Sequence, residues 1–372
     1  MKVLVTGGAG FIGSYTIDSL VEKGYEVKVL DNLEPQVHQN GKPDYLNDSV
    51  EFVTGDVQDK NTWSKVLNDV DAIIHLAAMV GVGQSMYKPV KYLSTNTIGT
   101  ANMYEAILEN QKLKKQIQKI IVASSKSIYG EGTYECKIHG IIYPYHRDIA
   151  QLENKDWETH CNICGEHVEP IGITEDKPVQ NLSVYALSKY DTERIAMDFS
   201  LALNISTIAF RYFNVYGPRQ SLSNPYTGVI AIFLSRLKNG NLPVVYEDGN
   251  QLRDFVYVED IAQANLLALE SKKEIIDVFN VGSGMPTSLN EILNILIELT
   301  AEEDIQPEIT QRYRVGDNRH DFSNITKIEK AFNFKQKYGI KDGLKKLVEW
   351  AETQEAVDKF KEAEEERLKY LG

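Results

Sequence analysis

The sequence predicts an α/β fold with a doubly wound parallel sheet and a smaller, mixed α/β domain beside it. Two observations carry this prediction. Short apolar runs rich in Val and Ile alternate with helical patterns through the first half of the chain, as in βαβ units. A glycine-rich turn, GGAGFIG at 7–13, directly follows the first of these runs. Sheets of this kind bind ligands beyond the carboxyl ends of their strands.

The predicted elements follow one another in the order that such a sheet requires. Strands are expected at 2–6, 26–30, 51–54, 72–76, 119–124 and 206–211, and helices at 11–23, 60–69, 90–111 and 184–203. Later elements are helices near 227–238, 259–270, 288–299, 323–333 and 341–370, and strands near 243–246 and 253–257. Residues 1–213 are therefore assigned to the sheet domain with an insertion at about 131–175, and 214–372 mainly to the smaller domain, with 258–283 returning to the first.

Composition narrows the class of protein. The chain has 372 residues, of which 42% are hydrophobic and 25% charged, which suits roughly two domains with a large core. A net charge of −13 argues against nucleic acid or an anionic membrane as a partner. No apolar run approaches the roughly 20 residues of a membrane-spanning helix, and the first residues enter a strand directly, so a cytoplasmic location is expected.

The glycine-rich turn has the properties of a dinucleotide site. Gly7 and Gly10 allow a tight turn and a close approach to a pyrophosphate, and Gly13 allows the helix to pack close to the sheet. Asp31 ends the next predicted strand, where its carboxylate can accept hydrogen bonds from ribose hydroxyls and would repel the extra phosphate of NADP. The pattern therefore predicts an NAD site, and a glycine-rich turn without a ligand is the alternative.

Two further patterns are candidates for catalysis. Tyr185 and Lys189 lie four positions apart in YALSK, so they share one face of a predicted helix, and a nearby ammonium favours the phenolate needed for proton transfer. The strand end SSKSIYG supplies Ser124, Ser125 and Ser127, one of which could hydrogen-bond a substrate oxygen. The alternatives are an exposed helical pair and a strand-end turn.

The inserted segment contains all three cysteines of the chain. Cys136 and His139 form a C-x-x-H pair, Cys161 and Cys164 form a C-x-x-C pair, and a glycine follows each pair directly. Such pairs can supply a closed, structural set of three thiolates and one imidazole for zinc. Metal binding could also fold a segment with so little apolar sequence. The alternative is a loop with free thiols.

The ordered motifs resemble those of the extended short-chain dehydrogenase/reductase family, and within it nucleotide-sugar epimerases and dehydratases. The resemblance extends over nearly the whole chain outside the insertion. It rests on GGAGFIG, HLAA at 75–78, Asn96 with Gly99 and Thr100, SSKSIYG, YALSK, RYFNVYGPRQ at 211–220, RDFVYVEDIA at 253–262 and NVGSG at 280–284.

The resemblance implies roles for individual residues. It implies Ser125, Tyr185 and Lys189 as the catalytic set, with Tyr185 and Lys189 also contacting NAD and Lys189 holding the nicotinamide ribose. The other NAD-binding residues that it implies are Gly7, Gly10, Phe11, Ile12, Gly13, Asp31, Asn32, Asp56, Val57, Leu76, Ala77, Ala78 and Asn96. For the nucleotide-diphosphate sugar it implies Asn214, Arg253 and Arg314, which would hold the diphosphate and nucleotide, together with Val82 and Ser127.

One departure from the family pattern selects between reactions. Relatives that dehydrate the sugar carry an Asp-Glu pair directly after the catalytic hydroxyl, and this chain has Lys126 and Ser127 there. Neither side chain replaces a carboxylic acid and base at neutral pH, and decarboxylases usually carry a glutamate at the second position. The resemblance thus implies an NAD-dependent 4-epimerase that works through a transient 4-keto sugar. The alternatives are a net oxidoreductase or dehydratase of the same fold and a non-catalytic NAD-binding scaffold.

Three expectations complete the sequence-based interpretation. The insertion, GVGQSMY at 81–87 and GPRQSLSNPYTG at 217–228 resemble a bacterial subgroup proposed as dTDP-L-rhamnose 4-epimerases, with UDP-hexose or UDP-hexuronate as alternative substrates. Helices 96–111 and 184–203 resemble the pair that forms a homodimer interface in this family. The charged run at 358–366 predicts a solvated face on the last helix.

Overall fold

The computed structural model describes residues 1–300 and 305–371. The strands are β1 (Lys2–Thr6), β2 (Glu26–Asp31), β3 (Glu51–Thr54), β4 (Ala72–His75), β5 (Lys119–Ser125), β6 (Thr133–Cys136), β7 (Gly140–Ile142), β8 (Glu169–Ile171), β9 (Ser206–Tyr212), β10 (Asn214–Tyr216), β11 (Val244–Val245), β12 (Leu252–Tyr257), β13 (Ile276–Val281), β14 (Pro286–Ser288) and β15 (Glu308–Ile309). The helices are α1 (Phe11–Glu22), α2 (Lys60–Val66), α3 (Val82–Ser85), α4 (Pro89–Tyr92), α5 (Gly99–Glu109), α6 (Gln111–Gln116), α7 (Ile149–Glu153), α8 (Val184–Leu203), α9 (Val229–Lys238), α10 (Val258–Glu270), α11 (Leu289–Thr300), α12 (Thr326–Phe332), α13 (Ile340–Glu352) and α14 (Phe360–Leu371).

The main sheet has seven parallel strands in the order β13-β9-β5-β4-β1-β2-β3. Alternate residues of its central strands enter opposite cores, as the two-residue period of a strand requires. In β1, Val3 and Val5 pack into the core beside α1 and α10, whereas Leu4 packs into the core beside α2, α5 and α8. Because both faces are covered by helices, the predicted doubly wound α/β fold is confirmed.

A second group of elements forms the smaller domain. Strands β10, β12 and β14 make a short sheet, β11 pairs with β15, and helices α9, α11 and α13 bury a separate apolar core. Chain segments from the second half also return to the main sheet. Helix α10 packs against α1, and β13 forms the edge strand beside β9. Residues of both domains therefore lie together at the carboxyl ends of the parallel strands.

The insertion between β5 and α8 folds into a small antiparallel sheet with the order β7-β6-β8. Its core is small and consists of Tyr134, Cys136, Ile142 and Cys161, with Val168 packed at the side. The segment lies against the smaller domain, since a Cβ on Gly132 would be only 2.2 Å from the carbonyl oxygen of His320.

The prediction of one continuous helix over 341–370 is wrong. Helix α13 ends at Glu352, and α14 begins at Phe360 after a non-helical connection. The connection is held by tertiary contacts: Asp358 lies 3.2 Å from Arg236 of α9 and accepts a hydrogen bond of 2.8 Å from Asn241. Over the described ranges, no helix has the length and apolar character to cross a membrane.

Candidate active site

The glycine-rich turn leaves an open cradle at the start of α1. Gly7 has a φ of +68°, and a Cβ there would lie 2.8 Å from the backbone of Ala77. A Cβ on Gly13 would lie 2.2 Å from the carbonyl oxygen of Gly7, so the helix can begin this close to the strand only because Gly13 has no side chain. Gly10 caps the helix without a side-chain hydrogen bond, so the first amides of α1 remain available to an anion.

This cradle fits the phosphates of a dinucleotide. The glycines together with Phe11 and Ile12 line a cavity of about 620 Å³ that extends along the carboxyl edge of the main sheet. Asp31 lines the same cavity at the end of β2, where its carboxylate accepts hydrogen bonds from the backbone amides of Ala9 at 3.0 Å and Leu33 at 2.8 Å. The carboxylate is therefore fixed in place before any ribose hydroxyl arrives.

The neighbouring predicted NAD residues divide into cavity walls and supports. Asn32, Val57 and the residues Leu76 to Ala78 line the cavity. Asp56 is not among the lining residues, but its carboxylate accepts a hydrogen bond of 3.0 Å from the amide of Asn32. Direct contact of Asp56 with adenine or ribose therefore has no counterpart in the described cavity.

Asn96 also acts from behind the cavity wall. Its side chain accepts a hydrogen bond from the amide of Met79 at 2.8 Å and donates to the carbonyl of Met79 at 3.1 Å and to Ser188 Oγ at 2.9 Å. The asparagine thus joins the segment after β4 to helix α8. His75 is buried between Thr6 and Thr100, and burial lowers its pKa to about 3, so the ring is neutral and structural.

The proposed catalytic residues meet at the end of β5. Helix α8 spans Val184–Leu203, begins with a side-chain cap from Ser183 and carries Tyr185 and Lys189 to the cavity, which Ser125 also lines. Lys189 donates a hydrogen bond of 2.7 Å to the carbonyl of Ala123, the third residue from the end of β5. Ser125 Oγ accepts hydrogen bonds from the amide and the hydroxyl of Ser127 at 3.1 and 2.9 Å.

The electrostatics of this group differ from the sequence-based expectation. Burial raises the pKa of Tyr185 above its ordinary value, and a hydrogen bond with Ser125 offsets part of the rise. Burial lowers the pKa of Lys189 to about 8. The chain's own residues therefore keep Tyr185 protonated at neutral pH, and forming the phenolate needs further positive charge in the cavity.

The substrate end of the same cavity is lined by four of the five predicted residues: Val82, Ser127, Asn214 and Arg314. Arg253 does not line it. Its guanidinium donates hydrogen bonds to the backbone carbonyls of Leu252, Asn318 and Arg319 at 2.8 to 2.9 Å. The expected contact of Arg253 with a diphosphate would require these bonds to be broken.

Sequence reasoning missed a complete wall of the cavity. Phe360, Ala363, Glu364 and Arg367 of α14 line it. Lys361, Glu362 and Glu365 on the same helix are exposed, so the charged run forms the predicted solvated face while Glu364 contributes to the cavity wall. Tyr226, from the loop before α9, lines it as well. The charge pattern of α14 contains no signal for this placement, because the helix reaches the cavity only through the non-helical connection that precedes it.

Lys126 occupies the place where a dehydratase would carry its acid. The side chain lines the cavity and forms an ion pair of 2.7 Å with Asp321, a carboxylate that is buried. Ser127 beside it is engaged with Ser125. A proton donor and base for elimination of water are therefore missing from these two positions.

The predicted zinc ligands form one cluster in the insertion. The ligand atoms of Cys136, His139, Cys161 and Cys164 all lie within 4.8 Å of one another. His139 Nδ1 lies 3.6 and 3.5 Å from the sulfurs of Cys136 and Cys161, and the sulfurs of Cys136 and Cys164 are 3.8 Å apart. With zinc–sulfur bonds of about 2.3 Å and zinc–nitrogen bonds of about 2.0 Å, a tetrahedron has edges of about this length.

Comparison with known proteins agrees with the geometry of the cavity. Residues 160–282 match the NAD dependent epimerase/dehydratase family, and residues 4–141 match the family described as GDP-mannose 4,6 dehydratase. The dTDP-L-rhamnose 4-epimerase of Burkholderia thailandensis is 34% identical over 352 residues, which cover 94% of each chain. The chain belongs to the NAD-dependent epimerase/dehydratase family.

Solved structures of this epimerase/dehydratase family have the same fold. The UDP-glucose 4-epimerase of Thermotoga maritima, solved with UDP-glucose, superposes with a TM-score of 0.77 at 31% identity and covers 95% of this chain and 99% of its own. The UDP-glucuronic acid 4-epimerase of Bacillus cereus, in complex with UDP-glucuronic acid and NAD, has a TM-score of 0.77 at 25% identity with the same coverage. These relatives are nucleotide-sugar 4-epimerases, and NAD is bound in the second.

Proposed function

We propose that this protein is an NAD-dependent epimerase that inverts carbon 4 of a nucleotide-diphosphate sugar. One observation carries the proposal: Ser125, Tyr185 and Lys189 line the same cavity as the glycine cradle, while Lys126 occupies the position of a dehydratase acid. The family relatives named above support the same reaction. Residues that would hold NAD are the glycine cradle, Asp31 and Lys189.

The residues of the chain have distinct parts in this reaction. Bound NAD would supply a reversible hydride acceptor and donor for carbon 4, so that a transient 4-keto sugar could be reduced on its opposite face. Tyr185 accepts the proton of the 4-hydroxyl, and Ser125 hydrogen-bonds to the same oxygen. The cationic nicotinamide ring would provide the positive charge that Tyr185 requires for ionisation, since burial alone holds its proton in place.

Inversion also requires a sugar that can turn while its nucleotide end stays bound. Arg314 and Asn214 line the nucleotide end of the proposed site. A guanidinium group matches phosphate oxygens in a bidentate manner, so Arg314 can retain the diphosphate while the keto sugar rotates. Asn214 is fixed by a hydrogen bond of 2.9 Å from its side-chain amide to the carbonyl of Asp254.

We propose dTDP-L-rhamnose as the substrate, with UDP-hexose or UDP-hexuronate as the second candidate. Similarity to the Burkholderia enzyme over 94% of both chains supports the first, and similarity to the UDP-glucose and UDP-glucuronic acid enzymes favours the second. The test is to incubate the purified protein, without added NAD, with UDP-, dTDP-, GDP- and CDP-sugars and to follow epimer formation by NMR.

The expected result is a new epimer without a net change in the NADH absorbance band. Accumulation of NADH, up to one per bound NAD, together with an oxidised sugar would instead identify a net oxidoreductase. Tyr185→Phe should abolish turnover while leaving NAD bound, and Tyr190→Phe on the same helix should remain active. Equal activity of both variants would exclude Tyr185 as the base, and absence of turnover with every sugar would favour a non-catalytic scaffold.

We also propose a structural zinc ion held by Cys136, His139, Cys161 and Cys164. The interatomic distances fit a closed tetrahedral site, and backbone amides near Cys136 lower the pKa of its thiol. Gly140 follows the first ligand pair with a φ of +70°, which permits the tight turn of a metal-binding knuckle. A closed site of four protein ligands has no open position, so this metal would stabilise the insertion and take no part in hydride transfer.

Two further expectations belong to the proposal. A homodimer through the segments 96–111 and 184–203 is supported by exposed apolar side chains on these segments, namely Ile98, Leu187 and Leu201. Light scattering on the purified protein should give twice the mass of one chain. A cytoplasmic location is consistent with a site that needs reduced cysteines, because reducing compartments maintain free thiols.

A further inference from the structure

Glu364 on helix α14 lies between two arginines on the wall of the cavity. Its Oε2 is 3.5 Å from Arg314 Nη2, and its two oxygens accept hydrogen bonds of 3.0 and 3.2 Å from Nη2 and Nε, which form one edge of the Arg367 guanidinium group. The hydroxyl of Tyr246 donates to the same carboxylate at 3.3 Å, and the Arg314 guanidinium stacks on the Tyr246 ring at 4.1 Å. The two arginines therefore converge on a single anionic group.

The three charged groups remain accessible to a ligand. Glu364, Arg367 and Arg314 all line the cavity that contains the glycine cradle and the catalytic residues. Their side chains are 22%, 29% and 39% exposed, respectively. A ligand in the cavity can thus reach the arginines without unfolding any element of the protein.

The arrangement matches the chemistry of a diphosphate. A carboxylate held by two guanidinium groups has the same donors around it as a bound phosphate, because both anions accept paired hydrogen bonds from arginine. A nucleoside diphosphate carries more negative charge than one carboxylate and would compete with Glu364 for these donors. Arg253, the second arginine of the expected clamp, does not line the cavity and has its donors engaged by backbone carbonyls, whereas Arg367 lines the cavity, where its Nε and Nη2 are paired with Glu364.

Helix α14 is anchored well enough to place Arg367 for this role. Glu366 accepts hydrogen bonds from Tyr226 and, at 3.2 Å, from Tyr87, and it forms an ion pair of 3.0 Å with Lys88. Tyr370 stacks on Tyr87 with ring centroids 5.1 Å apart. These contacts join α14 to the sheet domain at Tyr87 and to the smaller domain at Tyr226. The helix is therefore held by both domains where it lines the cavity.

We propose that Arg367 is a substrate-binding residue that, together with Arg314, binds the diphosphate of the nucleotide sugar. Glu364 occupies the same donors when the diphosphate is absent and is displaced by it. This inference rests on the proposed function, because it presumes that the cavity takes a nucleotide-diphosphate sugar. It adds the C-terminal helix to the binding site and gives opposite roles to two neighbouring side chains of that helix.

The experiment is isothermal titration of UDP and of dTDP into the full-length protein with its bound NAD. Arg367→Gln should weaken binding about tenfold, since one bidentate charge-assisted contact is lost. Glu364→Gln should strengthen binding about threefold, because a competing negative charge is removed. Lys361→Gln, an exposed change of the same charge on the same helix, should leave the affinity within about twofold of the wild type.

The opposite signs of the two variants separate substrate binding from a structural ion pair. If Arg367 and Glu364 only stabilised α14, both variants would weaken nucleotide binding to a similar extent, and that result would overturn the inference. So would an unchanged affinity in Arg367→Gln. Should that variant fail to fold, Arg367→Lys retains the charge without the bidentate geometry, and we expect it to weaken binding by about threefold or more.

Failure of the inference can be distinguished from failure of the proposed function. Titration measures nucleotide binding without turnover. A wild-type protein that binds UDP or dTDP, combined with an unaffected Arg367→Gln variant, contradicts only the role of Arg367. A wild-type protein that binds none of the UDP, dTDP, GDP and CDP nucleotides contradicts both proposals. Thermal unfolding and NAD content, measured on each variant, ensure that the comparison is between folded proteins.

Discussion

Glu193 and Arg211 form a bidentate ion pair in the protein interior. Arg211 Nη2 lies 2.6 Å from Oε1, and Nε lies 2.9 Å from Oε2. The pair joins α8 to β9, and Ser124 at the end of β5 donates to the same carboxylate at 2.8 Å. Because α8 carries Tyr185 and Lys189, this contact holds the helix of the two proposed catalytic residues against the sheet.

The position of this pair predicts a large effect on stability. Glu193→Gln would leave the Arg211 charge buried without its counter-ion, and we expect the free energy of unfolding to fall by about 3 kcal/mol. Asp198→Asn on the same helix breaks the exposed pair with Arg194 and should cost less than about 1 kcal/mol. Urea unfolding of the two variants tests the comparison, and equal effects would show that burial of the pair contributes nothing.

The close approach at the glycine-rich turn predicts a loss of NAD in Gly13→Ala. The added Cβ would lie 2.2 Å from the carbonyl oxygen of Gly7, so the turn must shift away from the position that receives a pyrophosphate. NAD released on denaturation of the purified variant should fall to less than about a tenth of the wild-type amount. Gly339→Ala, where the nearest atom would be 3.7 Å away, is the control and should retain NAD.

The buried Lys177 predicts a rise in stability at alkaline pH. Its ammonium donates to the carbonyl of Tyr129 at 2.7 Å, and burial lowers its pKa from 10.5 to about 8. Between these values the unfolded chain binds more protons than the folded protein, so the free energy of unfolding rises with pH from about 8 to about 10.5. The total rise from this group is roughly 3 kcal/mol.

Comparison with Lys177→Met isolates this contribution from other titrating groups. The wild type should gain stability relative to the variant between pH 7 and pH 10, whereas the exposed control Lys345→Met should show a constant difference from the wild type. Denaturant unfolding at the two pH values gives the result. A constant difference for Lys177→Met as well would mean that its pKa is not lowered in the folded protein.

The cysteine cluster predicts one zinc ion per chain. Metal analysis of the purified wild type should give about one equivalent, and Cys161→Ser should lose it because a closed site needs all four ligands. His167→Asn, in the same insertion but outside the cluster, should keep its zinc. Hydrogen exchange over 133–171 should become faster without the metal, since the insertion has only a small apolar core. A wild type without zinc and with three titratable thiols would rule the site out.

Local sequence patterns predicted the sheet and the helix that carries Tyr185 and Lys189. The pattern at 184–203 matches the bounds of α8, because the helix has its own signals: a serine cap at Ser183 and a left-handed Asn204 after the last turn. The strand at 2–6 and the glycines after it are equally local. In each case the residues that specify the element are neighbours in the sequence.

Other features depend on residues that are distant in the sequence. The segment 353–359 contains neither Gly nor Pro, so nothing local predicts the end of α13. The break coincides with long-range contacts of Asp358 with Arg236 and Asn241. Arg253 similarly has the residue type of a phosphate ligand, but backbone carbonyls from 318–319 engage its guanidinium.

The sequence by itself determined the parallel sheet, the glycine cradle, the helix that carries Tyr185 and Lys189, and the two cysteine-containing knuckles, because strand and helix periods, turn glycines and short residue spacings are properties of neighbouring residues. Only the tertiary structure decided that Tyr185 is protonated in the chain alone, that Asn96 and Asp56 support the cavity from behind, and that α14 forms its outer wall with Glu364 between Arg314 and Arg367. Burial and charge pairing act between residues far apart in the chain, and their outcome exists only once those residues are packed together.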